Sequence, residues 1–285
     1  MTSRIFFDLD ELRKGNFREF DGYIPSVEGN TYELDEWIGR GGNAAVFRCR
    51  ERERGDEYAI KFLLNDNFYS RSRFDREIKL LKRLAHEHIT QYFGSGRLKI
   101  KGFNQKIRFL VMELAEQNLG ALMRESATRP DYELYSGQFR GLAKALASLH
   151  EHAIHRDIKP ENILISGDRW LLSDYGLCSF VTSNEEDLTQ VGRNMGPKYW
   201  LSPEAHNHRL GCADHINGAS DVYQLAAVFW YVATGRHPSG ILQKDDWNGP
   251  EKLFELLHRS LFHNFIKRPQ NGGDFLRELE IALSH

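Results

Sequence analysis

The feature that most constrains this chain is a segment of ten residues, HRDIKPENIL, at positions 155–164. Within it Asp157 and Asn162 are five residues apart, and Lys159 lies between them. A carboxylate can orient a hydroxyl group and accept its proton, a lysine can neutralise charge on a transferring phosphoryl group, and an amide oxygen can bind Mg²⁺. Because a polar loop rarely carries all three groups in this order, the segment predicts a phosphate-transfer site.

A further acidic residue follows twelve positions after Asn162. Asp174 stands in the sequence Ser-Asp-Tyr-Gly after a predicted strand, where Gly176 lets the backbone turn sharply. Asp-x-Gly also occurs in ordinary turns, so its position after the first segment is what gives it weight. We expect Asp174 and Asn162 to supply oxygen ligands for Mg²⁺.

Glycines cluster at a predicted strand turn early in the domain. The sequence IGRGGNAAVF at 38–47 contains Ile38, Gly39, Gly41 and Gly42. Missing Cβ atoms let backbone N–H groups approach phosphate oxygens. A plain hairpin turn has the same composition, so this loop alone does not decide between the two interpretations.

The next predicted strand places Ala59 and Lys61 on one face, because side chains alternate along a strand. If that face covers a nucleotide, Ala59 leaves room for an adenine and Lys61 reaches its phosphates; otherwise Lys61 is a surface residue. In the following helix Glu77 falls on the inward apolar stripe. A carboxylate facing a core needs a cationic partner, and Lys61 is the candidate. The alternative is a partly exposed glutamate at the edge of the stripe.

The composition is that of an ordinary globular protein, with 41% hydrophobic and 27% charged residues among 285. Lys and Arg number 38 and Asp and Glu 40, which gives no argument for a nucleic acid or a membrane as partner. Three scattered cysteines indicate reduced thiols. The N-terminal sequence shows no signal peptide, and no apolar run approaches the ~20 residues of a membrane span. We therefore expect a cytoplasmic protein.

Secondary-structure patterns divide the chain into an N-terminal extension, 1–31, and one domain, 32–285. Short β-prone runs dominate the part from 32 to 113, and helical patterns dominate from 114 to 285, which predicts a two-lobed α+β architecture. The extension shows no sustained period. Beyond the first hairpins, we expect strands at 89–93 and 107–114 and helices at 70–85, 119–124, 134–152, 221–234, 250–261 and 273–283.

Together these segments resemble the eukaryotic-type protein kinase family, whose motifs occur here in the family's order from about residue 32 onward. The resemblance implies a protein kinase-like fold with a small β-rich N-lobe and a larger α-helical C-lobe, ATP and Mg²⁺ as cofactors, and protein substrates. Asp157 is then the catalytic base and Lys159 contacts the γ-phosphate. Lys61, paired with Glu77, holds the α- and β-phosphates.

The resemblance also implies how adenine and magnesium are bound. Met112 looks like the family's gatekeeper, and Glu113 to Ala115 look like the hinge. Val46, Ala59 and Leu164 are implied to enclose the adenine ring. Asn162 and Asp174 are implied to bind Mg²⁺.

Other family positions are structural. Ser202-Pro203-Glu204 resembles the family's Ala-Pro-Glu, and Arg268 is expected to pair with Glu204. Four residues are expected to stack as the regulatory spine: Leu81, Tyr92, His155 and Tyr175. Tyr175 replaces the usual phenylalanine, so its hydroxyl needs a partner if it is buried.

The acceptor class follows from two conflicting signs. Lys159 and its neighbours are typical of serine/threonine kinases, whereas Pro197 and Trp200 look like the tyrosine-kinase arrangement. We expect a serine/threonine kinase, with dual-specificity or tyrosine kinase activity as the alternative. A nucleotide-binding pseudokinase scaffold and a small-molecule phosphotransferase are the remaining alternatives.

Arg156, which precedes the catalytic aspartate, usually signals activation through a phosphorylated loop residue. Thr182, Ser183 and Thr189 are the candidates, and we hypothesise autophosphorylation of Thr189; a merely solvated acidic loop is the alternative. A regulatory partner protein is also expected.

A local cluster has the chemistry of zinc ligands: His206, His208, Cys212 and His215. Nothing else in the sequence supports a metal there.

Overall fold

The structure is a computed structural model, and it describes residues 2–5, 18–41, 44–65, 67–99, 106–125, 131–181 and 199–284. The chain forms two compact units. Unit 1 comprises residues 1–83 and 90–115, and unit 2 comprises residues 84–89 and 116–285. Strands dominate unit 1 and helices dominate unit 2, which confirms the predicted α+β, two-lobed fold class. The domain boundaries proposed from the sequence stay a prediction.

The described residues of unit 1 form a six-stranded sheet, a separate two-stranded sheet and one helix. The strands are β1 (Thr2–Ile5), β2 (Arg18–Asp21), β3 (Ile24–Pro25), β4 (Thr31–Gly41), β5 (Ala44–Glu51), β6 (Glu57–Leu63), β7 (Tyr92–Lys99) and β8 (Lys106–Met112). Strands β1 and β2 pair with each other, and the larger antiparallel sheet has the order β3-β4-β5-β6-β8-β7.

The register of the larger sheet separates a core face from a second face. Phe47 pairs with Ile60, and Ile60 pairs with Val111; all three are buried in one hydrophobic cluster. Since neighbouring residues on a strand point to opposite faces, Lys61 and its partner Val46 lie on the other face. The alternation of side chains along the strand thus places Lys61 on the sheet face opposite the hydrophobic core.

Helix α1 (Phe68–Leu81) follows β6. Its N-cap residue is Asn67, whose side chain accepts a hydrogen bond of 2.9 Å from the Ser70 N–H. The strand expected at 89–93 is wrong in its bounds, because β7 runs from Tyr92 to Lys99. Ile89 forms only an isolated bridge to Leu172.

Where the structure describes it, unit 2 is built mainly from helices, with two small sheets. The helices are α2 (Leu119–Glu125), α3 (Tyr132–His150), α4 (Pro203–Arg209), α5 (Gly218–Thr234), α6 (Glu251–Ser260) and α7 (Gly272–Leu283). The strands are β9 (Gln117–Asn118), β10 (Ala153–Ile154), β11 (Ile163–Ser166), β12 (Arg169–Leu172) and β13 (Ser179–Phe180). Sheet β12-β11-β9 and the pair β10-β13 flank the segment that carries Asp157.

Helix α5 is the centre of unit 2. It is buried nearly all round, as its continuous apolar sequence predicts. Phe229 of α5 stacks on Phe139 of α3 with ring centroids 3.7 Å apart, and it also packs on Phe275 of α7. None of the helices in the described part of the chain has the length and apolar character that a bilayer crossing requires.

Candidate active site

In unit 1, the lysine and the glutamate singled out from the sequence form an ion pair. Lys61 Nζ lies 2.8 Å from Oε1 and 2.9 Å from Oε2 of Glu77. Lys61 comes from β6, and Glu77, only 3% exposed, comes from the buried side of α1. Because a buried carboxylate is costly without a charged partner, this pair joins α1 to β6 and orients the ammonium group.

The sheet face of Lys61 carries the other predicted nucleotide residues of β4, β5, β6 and β8. Val46 pairs with Lys61 and with Gly39, and Ala59 pairs with Met112. A Cβ atom built on Gly39 would meet nothing within 4 Å, so internal packing does not explain the glycine. The open space beside Gly39 would let a phosphate group approach the main chain closely.

The remaining predicted residues of unit 1 lie at or near the C-terminal ends of β4 and β8. Ile38 is 41% exposed on β4, Gly41 pairs with Ala44, and Gly42 lies outside the described residues. The Glu113 N–H donates to the Gln91 carbonyl oxygen at 3.0 Å. Ala115, two residues further on, is half-buried at the end of the unit.

In unit 2, three predicted residues meet at one carboxylate. Lys159 Nζ lies 2.6 Å from Asp157 Oδ2, and Asn162 Nδ2 donates to the same oxygen at 2.9 Å. Asn162 Nδ2 also donates to the Asp157 carbonyl oxygen at 2.8 Å. A charge-assisted bond and an amide bond therefore fix the orientation of the Asp157 side chain.

Burial governs the ionisation of this carboxyl group. Asp157 is 6% exposed, and burial raises its pKa above the ordinary 3.8, while the Lys159 ammonium opposes the shift. The neighbouring carboxylate of Asp174 raises the pKa further. A raised pKa brings an aspartate closer to the range in which a general base is effective.

Asp174 lies next to this group through the loop that follows β12. Its backbone is left-handed, with φ 62° and ψ 73°, which is unusual for a residue with a side chain. The preceding Ser173 donates from its N–H and its hydroxyl to the Asn162 carbonyl oxygen, at 3.0 and 2.9 Å. The two predicted magnesium ligands are thus tied together through the backbone. Leu164 lies on β11, paired with Asn118 and Leu171.

The pair expected between Glu204 and Arg268 is present and enclosed. Arg268 Nη1 and Nη2 lie 2.9 and 3.0 Å from the two carboxylate oxygens of Glu204. The side chains are 0% and 2% exposed. This two-point contact fixes the start of α4 against the segment before α7.

A sequence model described as the protein kinase domain matches residues 32–279. The chain belongs to the protein kinase family. It is 31% identical over 220 residues to the probable serine/threonine-protein kinase PknB of Corynebacterium glutamicum, covering 74% of this chain and 32% of the relative. It is 30% identical over 226 residues to the serine/threonine-protein kinase PknE of Mycobacterium tuberculosis, covering 76% and 38%. The chain spans about a third of the length of these relatives.

The kinase has a further acidic residue whose role sequence reasoning missed. Asp221 of α5 is fully buried and accepts the backbone N–H groups of His155 and Arg156 at 2.6 and 2.8 Å. His150 contacts the same carboxylate through Nε2 at 2.9 Å, while its Nδ1 accepts the Gly272 N–H at 2.8 Å. The sequence signal that could have found this role is an aspartate at the start of an apolar helix. Such a helix is buried, and a buried carboxylate needs hydrogen-bond donors around it.

The Asp221 contacts explain the unusual backbone before the kinase's predicted base. Arg156 has a φ of 71°, and the Asp221 hydrogen bonds hold it in that left-handed conformation. The adjacent His155 is fully buried, which lowers its pKa below the ordinary 6.5 and keeps the imidazole neutral near pH 7. Its Nδ1 accepts the Asp157 N–H at 3.3 Å and its Nε2 bonds the Ser173 carbonyl at 3.1 Å.

Two other expectations have structural answers in this kinase. The buried Tyr175 hydroxyl donates to the Leu172 carbonyl oxygen at 2.6 Å. This hydrogen bond gives the hydroxyl the partner that it needs where the family usually has phenylalanine. The Tyr175 ring lies 5.1 Å from that of His155, its expected neighbour. Among the described residues, three or more His, Cys, Asp or Glu side chains nowhere converge on a common metal position, so the zinc interpretation of 206–215 gains no support.

Proposed function

We propose that this chain is an ATP- and Mg²⁺-dependent protein kinase that phosphorylates serine and threonine hydroxyls of protein substrates. The observation that carries the proposal is the Asp157 carboxylate held by Lys159 and Asn162 at 2.6 and 2.9 Å. Its raised pKa and its fixed orientation suit a group that accepts a proton from an attacking hydroxyl.

Each residue of this group has a distinct task. Both side-chain contacts reach Asp157 Oδ2, so we assign proton acceptance from the substrate hydroxyl to Oδ1. Lys159 neutralises charge on the γ-phosphoryl group. Its ammonium also stabilises the charged form of Asp157 and so opposes the effect of burial on the pKa.

The residues present fit a bound magnesium ion. Because the Asn162 amide nitrogen donates to Asp157, the amide oxygen is the atom that would meet a cation. Asp174 would supply the carboxylate oxygen, and hard oxygen donors of this kind suit Mg²⁺. When bound, Mg²⁺ neutralises negative charge on the ATP phosphates.

The residues of unit 1 fit an adenine nucleotide. Lys61, oriented by Glu77, would bind the α- and β-phosphates, and the open backbone at Gly39 would approach the phosphate oxygens. Val46 and Ala59 would contact the adenine ring. Met112 is the proposed gatekeeper, and Glu113 to Ala115 form the proposed hinge. Ile38, Gly41 and Gly42 complete the phosphate loop.

Two observations support serine and threonine as acceptors. Lys159 contacts the predicted base directly, as expected for the serine/threonine form. The matched relatives are named as serine/threonine kinases. Trp200, one of the two residues that favour the tyrosine or dual-specificity alternative, packs against Tyr231 and His237 of unit 2. Pro197, the other, lies outside the described residues.

A groove in unit 2 supports a polypeptide acceptor over a small molecule. It has a volume of about 870 Å³ and runs between the residues before α4 and the segments around α6. Tyr199 and Ile241, which line it, are 76% and 90% exposed. Large exposed apolar side chains beside a groove are typical of protein docking surfaces.

A smaller cavity supports the proposal that the kinase is phosphorylated on its own loop. Arg156, His208 and His215 line a space of about 120 Å³ together with Asp214. Of these residues, the Arg156 guanidinium suits a phosphate group. The candidate acceptors Thr182, Ser183 and Thr189 lie outside the described residues.

We further propose that residues 32–285 constitute the kinase domain and residues 1–31 an extension. The family match, which begins at residue 32, supports this boundary. We also propose a cytoplasmic setting; three scattered cysteines are too few for a disulfide framework.

Phospho-amino-acid analysis tests the proposed activity. The protein is incubated with γ-labelled ATP, Mg²⁺ and a generic protein acceptor, beside an Asp168→Asn control. Asp168 lies on the exposed turn between β11 and β12, so this control should label the acceptor as the wild type does. We expect phosphoserine and phosphothreonine. Phosphotyrosine as the main product would overturn the acceptor class, and absence of labelling by the wild type would overturn the activity.

A further inference from the structure

Residues 24–30, which precede the family match, pack on the edge strand of the unit 1 sheet; we call them the strap. The strap starts with β3, which pairs with β4. It then closes a turn in which Ser26 N–H donates to the Asn30 carbonyl at 2.9 Å. Val27 N–H donates to the Ser95 carbonyl of β7 at 2.8 Å. This main-chain hydrogen bond attaches the strap to β7.

Glu28 at the tip of the strap collects donors from two other elements. Tyr92 of β7 donates its hydroxyl to Glu28 Oε1, and the Ser95 N–H donates to Oε2 at 2.9 Å. Lys82 Nζ lies 2.9 Å from Oε1. The same ammonium sits 5.0 Å from the centre of the Tyr92 ring. One carboxylate thus joins the strap, β7 and Lys82.

Lys82 connects this group to the nucleotide side of unit 1. It is the C-cap residue of α1 and follows Glu77 by five positions, roughly 7.5 Å along the helix axis. Nearer the helix start, Asp75 is tied to Arg108 of β8 at 3.0 Å. Glu28 therefore anchors the end of the helix whose middle carries the partner of Lys61.

The close approach of the strap requires a glycine on β7. A Cβ atom at Gly94 would lie 3.1 Å from Ser26 Cβ and 3.1 Å from the Tyr32 hydroxyl. These contacts are tighter than ordinary van der Waals distances. A side chain at Gly94 would push the strap outward without removing any charge.

We propose that Glu28 is a positioning residue for ATP binding, which holds the end of α1 so that Glu77 stays in reach of Lys61. The inference rests on the proposed function, because it assigns ATP to the Lys61–Glu77 pair. Glu28 acts through Lys82 and the helix and makes no contact with the nucleotide.

The Glu28 contacts persist across the pH range of an enzyme assay. Partial burial by itself would raise its pKa, but the hydrogen bonds from Tyr92, Lys82 and Ser95 prevail and lower it from 4.5 to about 2. Lys82 has its pKa raised, chiefly by the same contact with Glu28. Both groups therefore stay charged near neutral pH.

The steady-state test compares Glu28→Gln with Glu33→Gln. Glu33 is an exposed residue of β4, so its variant removes the same charge without touching the strap contacts. We expect Glu28→Gln to raise KM for ATP by about three- to tenfold, as weakened charge-assisted bonds would, with kcat at saturating ATP within about twofold of wild type. Lys82→Met should have the same effect, and the double variant should be no worse than either single one. Gly94→Ala, which alters no charge, should also raise KM for ATP.

Hydrogen exchange of the free protein provides a readout that needs no activity. We expect faster exchange at the amides of residues 79–82 in Glu28→Gln, and no change in Glu33→Gln. Unchanged exchange would overturn the inference. Faster exchange with an unchanged KM for ATP would make Glu28 purely structural and would overturn it as well. Loss of phosphate transfer in the wild type would instead refute the proposed function, and the exchange result would still stand. If Glu28→Gln does not fold, Gly94→Ala carries the same two readouts.

Discussion

Substitution of Glu204 by glutamine should destabilise unit 2 strongly, because it removes one charge from an enclosed ion pair. Arg268 donates all five of its N–H groups: two to Glu204, and one each to the carbonyl oxygens of Phe262, Ala219 and His263. Its side chain is 0% exposed. The glutamine variant keeps the shape of the site but leaves the guanidinium charge uncompensated.

The magnitude follows from the burial of both partners. Breaking a buried pair from one side costs about 3–5 kcal/mol. For a protein of this size, each kcal/mol lowers Tm by ~2–4 °C, so we expect a fall on the order of 10 °C in a thermal melt at pH 7. The pKa of Glu204 is lowered, because hydrogen bonds from Arg268 and Ser220 outweigh the effect of burial, which would raise it. Its contribution is therefore present above the ordinary 4.5 and is lost as the pH falls below it, so the difference from wild type should shrink in acid.

An apolar double variant, Glu204→Leu with Arg268→Met, provides the control. Removing both charges together leaves no uncompensated ion, so the double variant should lose less stability than the two single variants combined. A Glu204→Gln variant that loses less than ~1 kcal/mol at pH 7 would refute the reasoning from burial. A double variant that costs the full sum of the single effects would refute the coupling.

Three further outcomes follow from the site. Tyr175→Phe should lower the free energy of unfolding by about 1 kcal/mol in denaturant melts, because it leaves a buried carbonyl without its 2.6 Å hydroxyl donor; an unchanged midpoint would contradict this. Glu77→Gln should raise KM for ATP more than KM for the protein substrate, since it releases Lys61; equal effects on both constants would contradict it. The acid limb of the pH profile of kcat/KM should lie above pH 3.8, because burial raises the pKa of Asp157 and the base must be ionised. Lys159→Met should move this limb to higher pH. A limb at or below pH 3.8 would contradict the assignment of Asp157 as the base.

The parts of the fold that sequence reasoning reached are those with a local pattern. Helix α5 followed from its continuous apolar run, and the inward position of Glu77 followed from the helical period, although its partner lies 16 residues away. Asp157 and Asn162 meet within one short loop, so their spacing alone indicated joint chemistry. Chemistry of this kind can be read from short segments.

What the sequence did not indicate depends on contacts between distant segments. The bond from the Ser95 N–H to Glu28 joins residues 67 positions apart, and no local period marks either one. The predicted bounds of β7 are wrong because glycine, present at positions 94 and 96, has a low strand propensity. Glycine is needed at these positions because the strap packs against Gly94 and the Phe109 ring against Gly96. Tertiary packing decided these positions.

The role of Asp221 was missed for a similar reason. An acidic residue at the start of a helix is common at the surface, where it favours the helix dipole. Only the fold shows that Asp221 is fully buried and that it holds the backbone before Asp157. The central helix thus both fills the core of unit 2 and shapes the candidate active site.

The most direct test of the central claim is the rate of phosphate transfer from ATP by Asp157→Asn, measured together with ATP affinity. The matched control is Asp168→Asn, the same substitution on an exposed turn. If Asp157 is the base, its variant should transfer phosphate about 10²–10⁴-fold more slowly while binding ATP with nearly wild-type affinity, and the control should be fully active. Wild-type turnover by Asp157→Asn would contradict the account.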